Sequence, residues 1–446
     1  MNKVIVKSKN CFQIKLPRSD LLQVRSAVDR LSRVLLDNSE PSLPVRRVRG
    51  LGAVVHSGYE AKSFATPLFS TNKSRSKSAV ATPDGRLIPE AKIAPPLTRA
   101  IPLTMDITHK KRLSPDMFAL LKTAYLVNVK KFLDGRSDVA RTMVRAGKVY
   151  VDYSGFLFAL DVDPPSSAGP DDAAEDSSTV MFNNFLQSVG LRHNAWPAAF
   201  SLVRRWISAK MLEPVVDADV AAVLLACVFE GAPSSTPPPA TVESAALRFF
   251  DFLSFHDFDS SPVIIRGDAA TVTPEERARE AAFRAAFSDN RDSMPALAVL
   301  LPYGAATAVT KSLSKQNMRR LVNLARQALH SALSTSPTLL DFSALSETVT
   351  KLCDLDIYDI VIQLKPLQVP SIKDSRRRPE GEEEEEVAVK KSKVVVSGFP
   401  VVDFDPVGRF LEELHITFGH FADFYYGRSA GPVVGVKLRP FVIDQV

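Results

Sequence analysis

The sequence predicts an α+β protein of several domains. Three observations predict this class: a helix followed by an alternating hairpin in the first third, a long helical middle, and a final part that returns to strands around one helix. A chain of 446 residues has room for about three domains. With 45% hydrophobic and 24% charged residues, its composition is that of a globular protein with a sizeable core.

The first region predicts a helix and then a hairpin. Ser114 is suited to the N-cap and Pro115 to the first helical position. The apolar residues that follow recur at steps of three and four and form one face: Phe118, Leu121, Tyr125, Val129 and Phe132. Downstream, KVYVDYSGFLFALDV alternates, turns at Ser154-Gly155 and continues apolar. This pattern predicts a hairpin that lies centrally in a sheet.

The middle region, from Trp196 to about Ser334, has the periodicity of several helices. Thr273 is followed by Pro274 and, three residues on, by Glu276, which is the pattern of a capping box. Between the last two helices, MPALAVLLP predicts a short buried strand. The region therefore predicts a helical domain with little sheet.

The final region, from about Asp341, predicts a strand at IYDIVIQLKP, a helix at 407–417 and a closing hairpin. The hairpin carries a run of aromatic residues: Phe421, Phe424, Tyr425 and Tyr426. Alternation along a strand directs some of these rings inward, so the pattern favours core packing over base stacking.

Breaks in composition predict the domain boundaries. A basic Ser, Lys and Pro-rich stretch lacks any helical or strand period, a polar acidic stretch has nothing to bury, and a block of like charges is expected to stay solvated. The predicted units are an α+β domain at 1–163 with a basic loop at 70–98, an acidic linker at 164–178, a helical domain at 179–340, and a small α+β domain at 341–446 with a charged insert at 374–393.

Charge is divided unevenly along the chain. Residues 1–150 hold 28 Lys and Arg against 11 Asp and Glu, whereas the remainder holds 28 against 39. A basic N-terminal third favours contact with nucleic acid, although a basic surface that serves only solubility stays open. The cysteines, Cys11, Cys227 and Cys353, lie far apart, which excludes a disulfide framework and indicates a reducing compartment. Neither a secretory signal nor an apolar run of membrane-spanning length is present in the sequence, so no membrane association is predicted.

Cations around the predicted helix and hairpin are the best candidates for RNA contact. They are Lys110, Lys111, Arg112, Lys130, Lys131, Arg136, Arg141, Arg145 and Lys148. Loop cations at Lys73, Arg75 and Lys77, with RRVR at 46–49, extend the same surface. Such residues bind phosphates through charge and counterion release, without reading sequence. A solvated basic face is the alternative.

Asp161 and Asp163, an Asp-x-Asp pair at a strand end, are the main catalytic candidates, because such a pair holds divalent metal in nucleotidyl transfer. That chemistry also needs a Gly-Gly or Gly-Ser turn whose amides hold the triphosphate. None of the 19 glycines is followed by Gly or Ser. The seven histidines lack metal-ligand spacing, and phosphate-loop, dinucleotide and nucleophile-elbow motifs are missing. We therefore expect no catalytic residues, metal or cofactor, with an active template-independent nucleotidyltransferase using Asp161 and Asp163 as the alternative.

Segments spread along the chain carry a family pattern. They are LPRSDLLQVRSAVDRL, FALLKTAYLVNVKKFL with VYVDYSGFLFALDV, AWPAAFSLVRRWISAKML, RFFDFLSFHDFDSSPVIIR, LDIYDIVIQLKP and FGHFADFYYGRSAGPVVGVKLRP. In this order they resemble the C-terminal half of the Nrap family, the nucleolar RNA-associated proteins of the small-subunit processome. The resemblance spans about residues 12–440. The last segment is the most specific, although GRSAG stands where the family has an acidic residue and paired glycines, and Leu438-Arg439 replaces Trp-Lys.

The resemblance implies an arrangement like a class I CCA-adding enzyme: a degenerate nucleotidyltransferase-like palm, a helical domain like that of poly(A) polymerase and oligoadenylate synthetase, and a small α+β tail. It also implies a non-catalytic nucleolar scaffold that binds pre-rRNA or small nucleolar RNA and other processome proteins in 18S rRNA maturation and small ribosomal subunit biogenesis. No small-molecule substrate is expected. A module that binds only proteins is a third reading. The resemblance covers only the C-terminal half of the family's proteins. The chain could therefore be a fragment, a divergent short form or a split gene product, and these alternatives stay open.

Overall fold

The computed structural model describes residues 18–37, 45–52, 79–81, 87–89, 100–107, 115–154, 156–162, 172–231, 237–266, 273–305, 313–335, 342–364 and 405–439. The N-terminal part contains α1 (Arg18–Leu36), α2 (Pro115–Asp134), β1 (Val45–Gly50), β2 (Ala79–Ala81), β3 (Leu87–Pro89), β4 (Ile101–Ile107), β5 (Val139–Arg145), β6 (Lys148–Tyr153) and β7 (Phe156–Val162). None of the helices in these stretches is long and apolar enough for a bilayer crossing.

A five-stranded sheet organises this part, in the order β1–β4–β7–β6–β5. Strands β4 and β7 are parallel, and the other neighbouring pairs are antiparallel. The predicted hairpin is confirmed as β6 and β7, and β7 is the central strand. Its turn includes Ser154, whose φ of 54° lies in the left-handed region that a tight turn demands.

Helices α1 and α2 pack on one face of the sheet, which we call the near face. Both helices are amphipathic, and the residues that they bury recur at helical spacing: Val24, Ala27, Leu31 and Leu35 from α1, and Leu126, Val129 and Leu133 from α2. The sheet contributes alternate residues such as Val151 and Phe158 to the same core. On the opposite face, the far face, Tyr150, Leu157 and Ala159 form a smaller buried cluster.

The middle part is a helical core with a small sheet. Its elements are α3 (Asp172–Arg192), α4 (Trp196–Ala209), α5 (Ala218–Glu230), α6 (Val242–Phe255), β8 (Val263–Ile264), α7 (Pro274–Asp289), β9 (Val299–Leu301), β10 (Gly304–Ala305), α8 (Lys315–Thr335) and α9 (Phe342–Thr350). Helix α4 is buried on nearly all sides, and the edge of the Trp206 ring meets Phe249 and Phe250 at centroid distances of 6.3 and 5.0 Å. The capping box of Thr273 and Glu276 is confirmed, as is the buried strand β9.

The C-terminal part contains β11 (Ile360–Gln363), α10 (Pro406–Phe418), β12 (Ala422–Tyr425) and β13 (Val433–Leu438), with the strands in the order β11–β13–β12. The predicted strand, helix and closing hairpin are therefore confirmed. Asp405 starts α10 as its N-cap by accepting the amides of Val407 and Gly408. Together the three parts confirm the predicted α+β class.

Backbone contacts hold the small sheet against the helical part. Glu213 N donates to the Tyr426 carbonyl at 3.2 Å, and Ser429 N donates to Ser208 Oγ at 2.9 Å. Gly427 passes so close to the end of α4 that a Cβ atom there would lie 1.7 Å from the Ser208 carbonyl oxygen. Only glycine fits this crossing without moving the backbone.

A stacked arginine completes this contact. The guanidinium carbon of Arg320, on α8, lies 4.8 Å from the ring centroid of Tyr358 and 4.0 Å from that of Tyr425. Arg320 also donates to the Tyr358 hydroxyl at 2.6 Å, and the Tyr425 hydroxyl donates to Asn317 Oδ1 at 2.8 Å. Arg320 and Asn317 therefore join α8 to Tyr425 of the small sheet, more than a hundred residues further along the chain.

Two stretches predicted as a linker and a loop contain regular structure. Helix α3 begins at Asp172, inside the predicted linker 164–178, because an acidic, alanine-containing stretch is well suited to a helix N-terminus. The predicted loop 70–98 contains the antiparallel strands β2 and β3, which are too short to show a period in sequence. The charged insert at 374–393 lies outside the described residues, and the domain boundaries stay predictions.

Candidate nucleic-acid interface

The carboxylates at the end of the central strands are held by cations. In the parallel pair of β4 and β7, Thr104 is in register with Asp161, and Asp106 follows two residues later. Lys122 Nζ lies 2.5 Å from Asp161 Oδ1, and Arg49 pairs with Asp106 from β1. Both carboxylates are therefore neutralised by side chains of the chain itself.

Asp161 is the member of the predicted metal-binding pair that lies in the described stretches. They contain no group of three or more His, Cys, Asp or Glu side chains placed to hold a metal ion. Asp161 Oδ1 also accepts the amide of Val162 at 2.7 Å, which turns this oxygen back toward its own strand. Asp163, the other member of the predicted pair, lies outside the described residues.

The predicted RNA-contact residues fall into two groups on either side of β5, which is the edge strand of the sheet. Lys130 and Lys131 lie at the C-terminal end of α2, and Arg136 lies in the turn to β5. Arg141, Arg145 and Lys148 lie on the hairpin of β5 and β6. Lys110, Lys111 and Arg112 lie outside the described residues, as do Lys73, Arg75 and Lys77.

Alternation along β5 decides which face the hairpin cations share. Met143 packs against the Tyr150 cluster on the far face, whereas Val144 packs into the core beneath α1 and α2. Because successive strand residues point to opposite faces, Arg141 and Arg145 share the far face with Met143. Lys148 is in register with Arg145 and therefore shares that face. The six described candidates do not form one continuous patch on one face.

The tip of this hairpin places two cations side by side. Arg145 and Lys148 flank Ala146 and Gly147, whose φ values of 48° and 71° make a two-residue turn with both central residues left-handed. Like charges at directly opposed positions destabilise a strand pair. Within the described residues, neither cation forms an ion pair with a carboxylate. An anion between them would relieve the repulsion.

The other candidates differ in how far their charge is neutralised. Lys130 pairs with Asp134 one helical turn away. Arg136 pairs with Asp138 at 3.1 Å and lies over the ring of Phe132. Lys131 is exposed and has no carboxylate partner in the described part of the chain. Lys130 and Arg136 therefore have carboxylate partners that Arg145, Lys148 and Lys131 lack among the described residues.

Asp152 is a buried carboxylate that sequence reasoning missed. It lies on β6 in register with Arg141 and is only 2% exposed. Burial raises the pKa of Asp152 to about 6, and the charge of Arg141 opposes the rise. Lys122, which pairs with Asp161, was also missed, although it follows Phe118 by four residues and so falls on the apolar face of α2.

Two of the histidines, His193 and His256, have hydrogen-bond partners in the helical part. His193 Nε2 lies 2.8 Å from Glu230 Oε1. His256 Nε2 lies 3.0 Å from the Ser261 carbonyl, and burial lowers the pKa of His256. His415 is exposed on α10.

In the closing hairpin the rings are mostly inward, as predicted. Phe424, Tyr425 and Tyr426 are buried, and Phe421 is half exposed. Core packing therefore accounts for most of the aromatic run, and it leaves little ring surface for stacking on bases.

Comparison with known proteins gives two family matches. Residues 193–345 match the family model described as Nrap protein PAP/OAS1-like domain 5, and residues 355–445 match Nrap protein domain 6. The first match agrees with the predicted helical domain like that of poly(A) polymerase and oligoadenylate synthetase. Along the chain, domain 5 precedes domain 6, which is the order that the sequence resemblance implies.

Individual relatives are similar at low identity. Nucleolar protein 6 of Xenopus tropicalis is 27% identical over 258 residues, which cover 57% of this chain and 22% of that protein. The human protein of the same name is 26% identical over 58% of this chain and 22% of its own length, and the Drosophila melanogaster protein is 27% identical over 72% and 28%. The chain thus spans about a quarter of the length of the relatives it matches.

Among solved structures, the RNA terminal uridylyl transferase Cid1 is similar at a TM-score of 0.40 and 12% identity, with 76% of this chain and 94% of that chain covered. A complex of mtPAP with ATPγS gives a TM-score of 0.36 at 13% identity, covering 75% of this chain and 68% of that chain.

Proposed function

We propose that this chain, which belongs to the Nrap family, is a non-catalytic scaffold that binds pre-rRNA and assembly factors in the small-subunit processome. Its relatives are nucleolar by name, and the chain is accordingly a nucleolar protein. The sheet domain serves as a degenerate nucleotidyltransferase palm that holds RNA through its phosphates. The role belongs to 18S rRNA maturation and small ribosomal subunit biogenesis.

The observation that carries the RNA contact is the pair of opposed cations at the tip of the β5–β6 hairpin. Arg145 and Lys148 repel each other, and within the described residues no carboxylate compensates them. A phosphate placed between them accepts hydrogen bonds from both side chains and releases counterions from the RNA. Lys131, exposed at the end of α2 on the other side of β5, is not part of this contact.

The non-catalytic part of the proposal is supported by the ion pairs at the strand ends. A divalent metal at Asp161 would have to displace the ammonium group of Lys122, and one at Asp106 would have to displace the guanidinium of Arg49. The sequence also lacks the glycine turn whose amides bind a triphosphate. Cations that belong to the chain thus take the electrostatic role that metal ions have in nucleotidyl transfer.

RNA binding tests the hairpin contact. The double variant Arg145→Gln and Lys148→Gln should bind a labelled single-stranded RNA more weakly. We expect the slope of log K against log salt to become shallower by about 0.7, because each phosphate contact on a single strand contributes about 0.7 and the two cations share one phosphate. Fluorescence anisotropy at several salt concentrations measures both quantities.

A matched control removes the same charge elsewhere. Arg277 and Arg284 are exposed on α7 of the helical part, and changing both to Gln should leave the slope as in the wild type. An equal loss in both double variants would show that only overall charge matters, and an unchanged slope in the hairpin variant would refute the RNA contact.

Incubation with labelled ATP, an RNA primer and Mn²⁺ tests the non-catalytic assignment separately. We expect no primer extension. Extension that is abolished by Asp161→Ala would overturn the assignment and support the alternative nucleotidyltransferase. Failure to bind RNA even at low salt would instead support a module that contacts only proteins.

A further inference from the structure

The outer side of α2 exposes apolar side chains that neither the sheet core nor the RNA contact uses. Leu120 is 76% exposed, Met117 is 54% exposed and Val127 is 37% exposed. Ala124, between them, is also exposed. We call Met117, Leu120, Ala124 and Val127 the outer seam. Single exposed apolar residues are ordinary, but four in a row along one helix cover a continuous strip.

The spacing of the outer seam indicates what kind of surface fits it. Its members follow one another at steps of three, four and three residues, and Lys131 continues the row after four more. This is the alternation of a and d positions in a heptad, which matches the side-chain knobs of a second helix. The small side chain of Ala124 in the middle lets another backbone approach closely. The strip from Met117 to Lys131 extends about 21 Å, which is about two heptads.

Charge is also distributed in a defined direction along the strip. Asp116 lies at its beginning and Lys131 at its end, where Lys130 is already paired with Asp134. A helix that covered the seam would gain from carboxylates where it passes Lys131, which has no carboxylate partner among the described residues. RNA would not account for the strip, because aliphatic side chains offer neither cations for phosphates nor aromatic faces for bases.

We infer that the outer seam of α2 docks an amphipathic α-helix of a partner protein, with aliphatic residues at heptad spacing and acidic residues at the end that meets Lys131. This inference rests on the scaffold role proposed above, and it names the protein-binding surface of that scaffold. The outer seam is short. A contact of this size would therefore act together with other contacts in a large assembly.

Photo-crosslinking of the full chain in nucleolar extract tests the inference. A photoreactive amino acid replaces Leu120 in one sample and Leu191 in another, since Leu191 is 64% exposed on α3 and lies outside the seam. The crosslinked peptides are identified by mass spectrometry after ribonuclease treatment. We expect the Leu120 position, and not the Leu191 position, to yield a partner segment with heptad aliphatic residues and an acidic end.

Seam variants complete the test. With the photoreactive group at Ala124, the changes Leu120→Ser and Val127→Ser should lower the crosslink yield at least tenfold. They should leave the circular dichroism spectrum and the RNA affinity unchanged, because both side chains are on the surface. A crosslink to RNA, to a second copy of this chain or to a segment without heptad spacing would overturn the inference, as would an unaffected yield.

The two proposals fail separately. If the seam variants lose the partner and keep RNA, while Arg145→Gln and Lys148→Gln lose RNA and keep the partner, both proposals stand. If the seam variants keep the partner, the docking inference is wrong. If the hairpin variant keeps its RNA affinity and salt dependence, the RNA contact is wrong.

Discussion

Replacing Arg320 with methionine removes the cation that lies between Tyr358 and Tyr425 and keeps a flexible side chain of similar length. Two cation–π contacts contribute about 0.5–1 kcal/mol each at partly exposed sites. The hydrogen bond from the charged guanidinium to the Tyr358 hydroxyl contributes about 1.5 kcal/mol. Because methionine recovers part of the packing, we expect the free energy of unfolding to fall by about 2–3 kcal/mol.

Urea denaturation measures this change through the fluorescence of Trp196 and Trp206, both buried in the helical core. Arg319 is a matched control on the same helix, with a side chain that is 73% exposed and a 3.5 Å ion pair to Asp259. Arg319→Met should cost no more than about 0.5 kcal/mol, as exposed ion pairs do.

Amide hydrogen exchange in β13 reports separately on how firmly the small sheet is held. Arg320→Met should speed exchange there, because the arginine joins α8 to the small sheet. Arg320→Lys tests the planar stacking itself, since lysine keeps the charge and loses the flat guanidinium. An Arg320→Met protein as stable as Arg319→Met, or an Arg320→Lys protein as stable as the wild type, would refute the reasoning.

The remaining predictions concern a buried carboxylate and a glycine. Since burial raises the pKa of Asp152 to about 6, its protonated form favours the folded state, and its contribution to stability is present in acid and lost as the pH rises from about 4 to 6. Asp152→Asn should therefore stabilise the protein at pH 7 by up to about 3 kcal/mol and by little at pH 4, as measured by urea denaturation at both pH values. As a control, Asp251→Asn at an exposed position should change the free energy of unfolding equally at pH 7 and pH 4. Gly427→Ala should destabilise the protein by at least about 2 kcal/mol, because its Cβ would meet the Ser208 carbonyl at 1.7 Å; unfolding that matched the wild type would contradict this steric argument.

Local patterns in the sequence were enough for most elements. The apolar steps of three and four in α2, the alternation in β6 and β7 and the capping box at Thr273 depend only on residues within a few positions of each other. Strands β2 and β3 were missed because three residues leave no period to detect, whereas β9, of the same length, lies inside the longer apolar run MPALAVLLP.

The candidate site was predicted only in part. Composition identified the basic residues around α2 and the hairpin, but the near and far faces that separate Lys131 from Arg145 depend on which side of the sheet the helices cover. Lys122 pairs with Asp161, 39 residues further along the sequence, and no local pattern indicates this pairing.

By itself, the sequence determined the α+β class, the helix and strand periods, the family and the lack of a glycine turn for a triphosphate. These properties are local, because they depend on residue types at short, fixed spacings. Tertiary structure alone decided which carboxylates are neutralised, which cations lack a carboxylate partner among the described residues, and how Arg320 joins α8 to the small sheet. Such contacts depend on strand register and on residues brought together from distant parts of the chain.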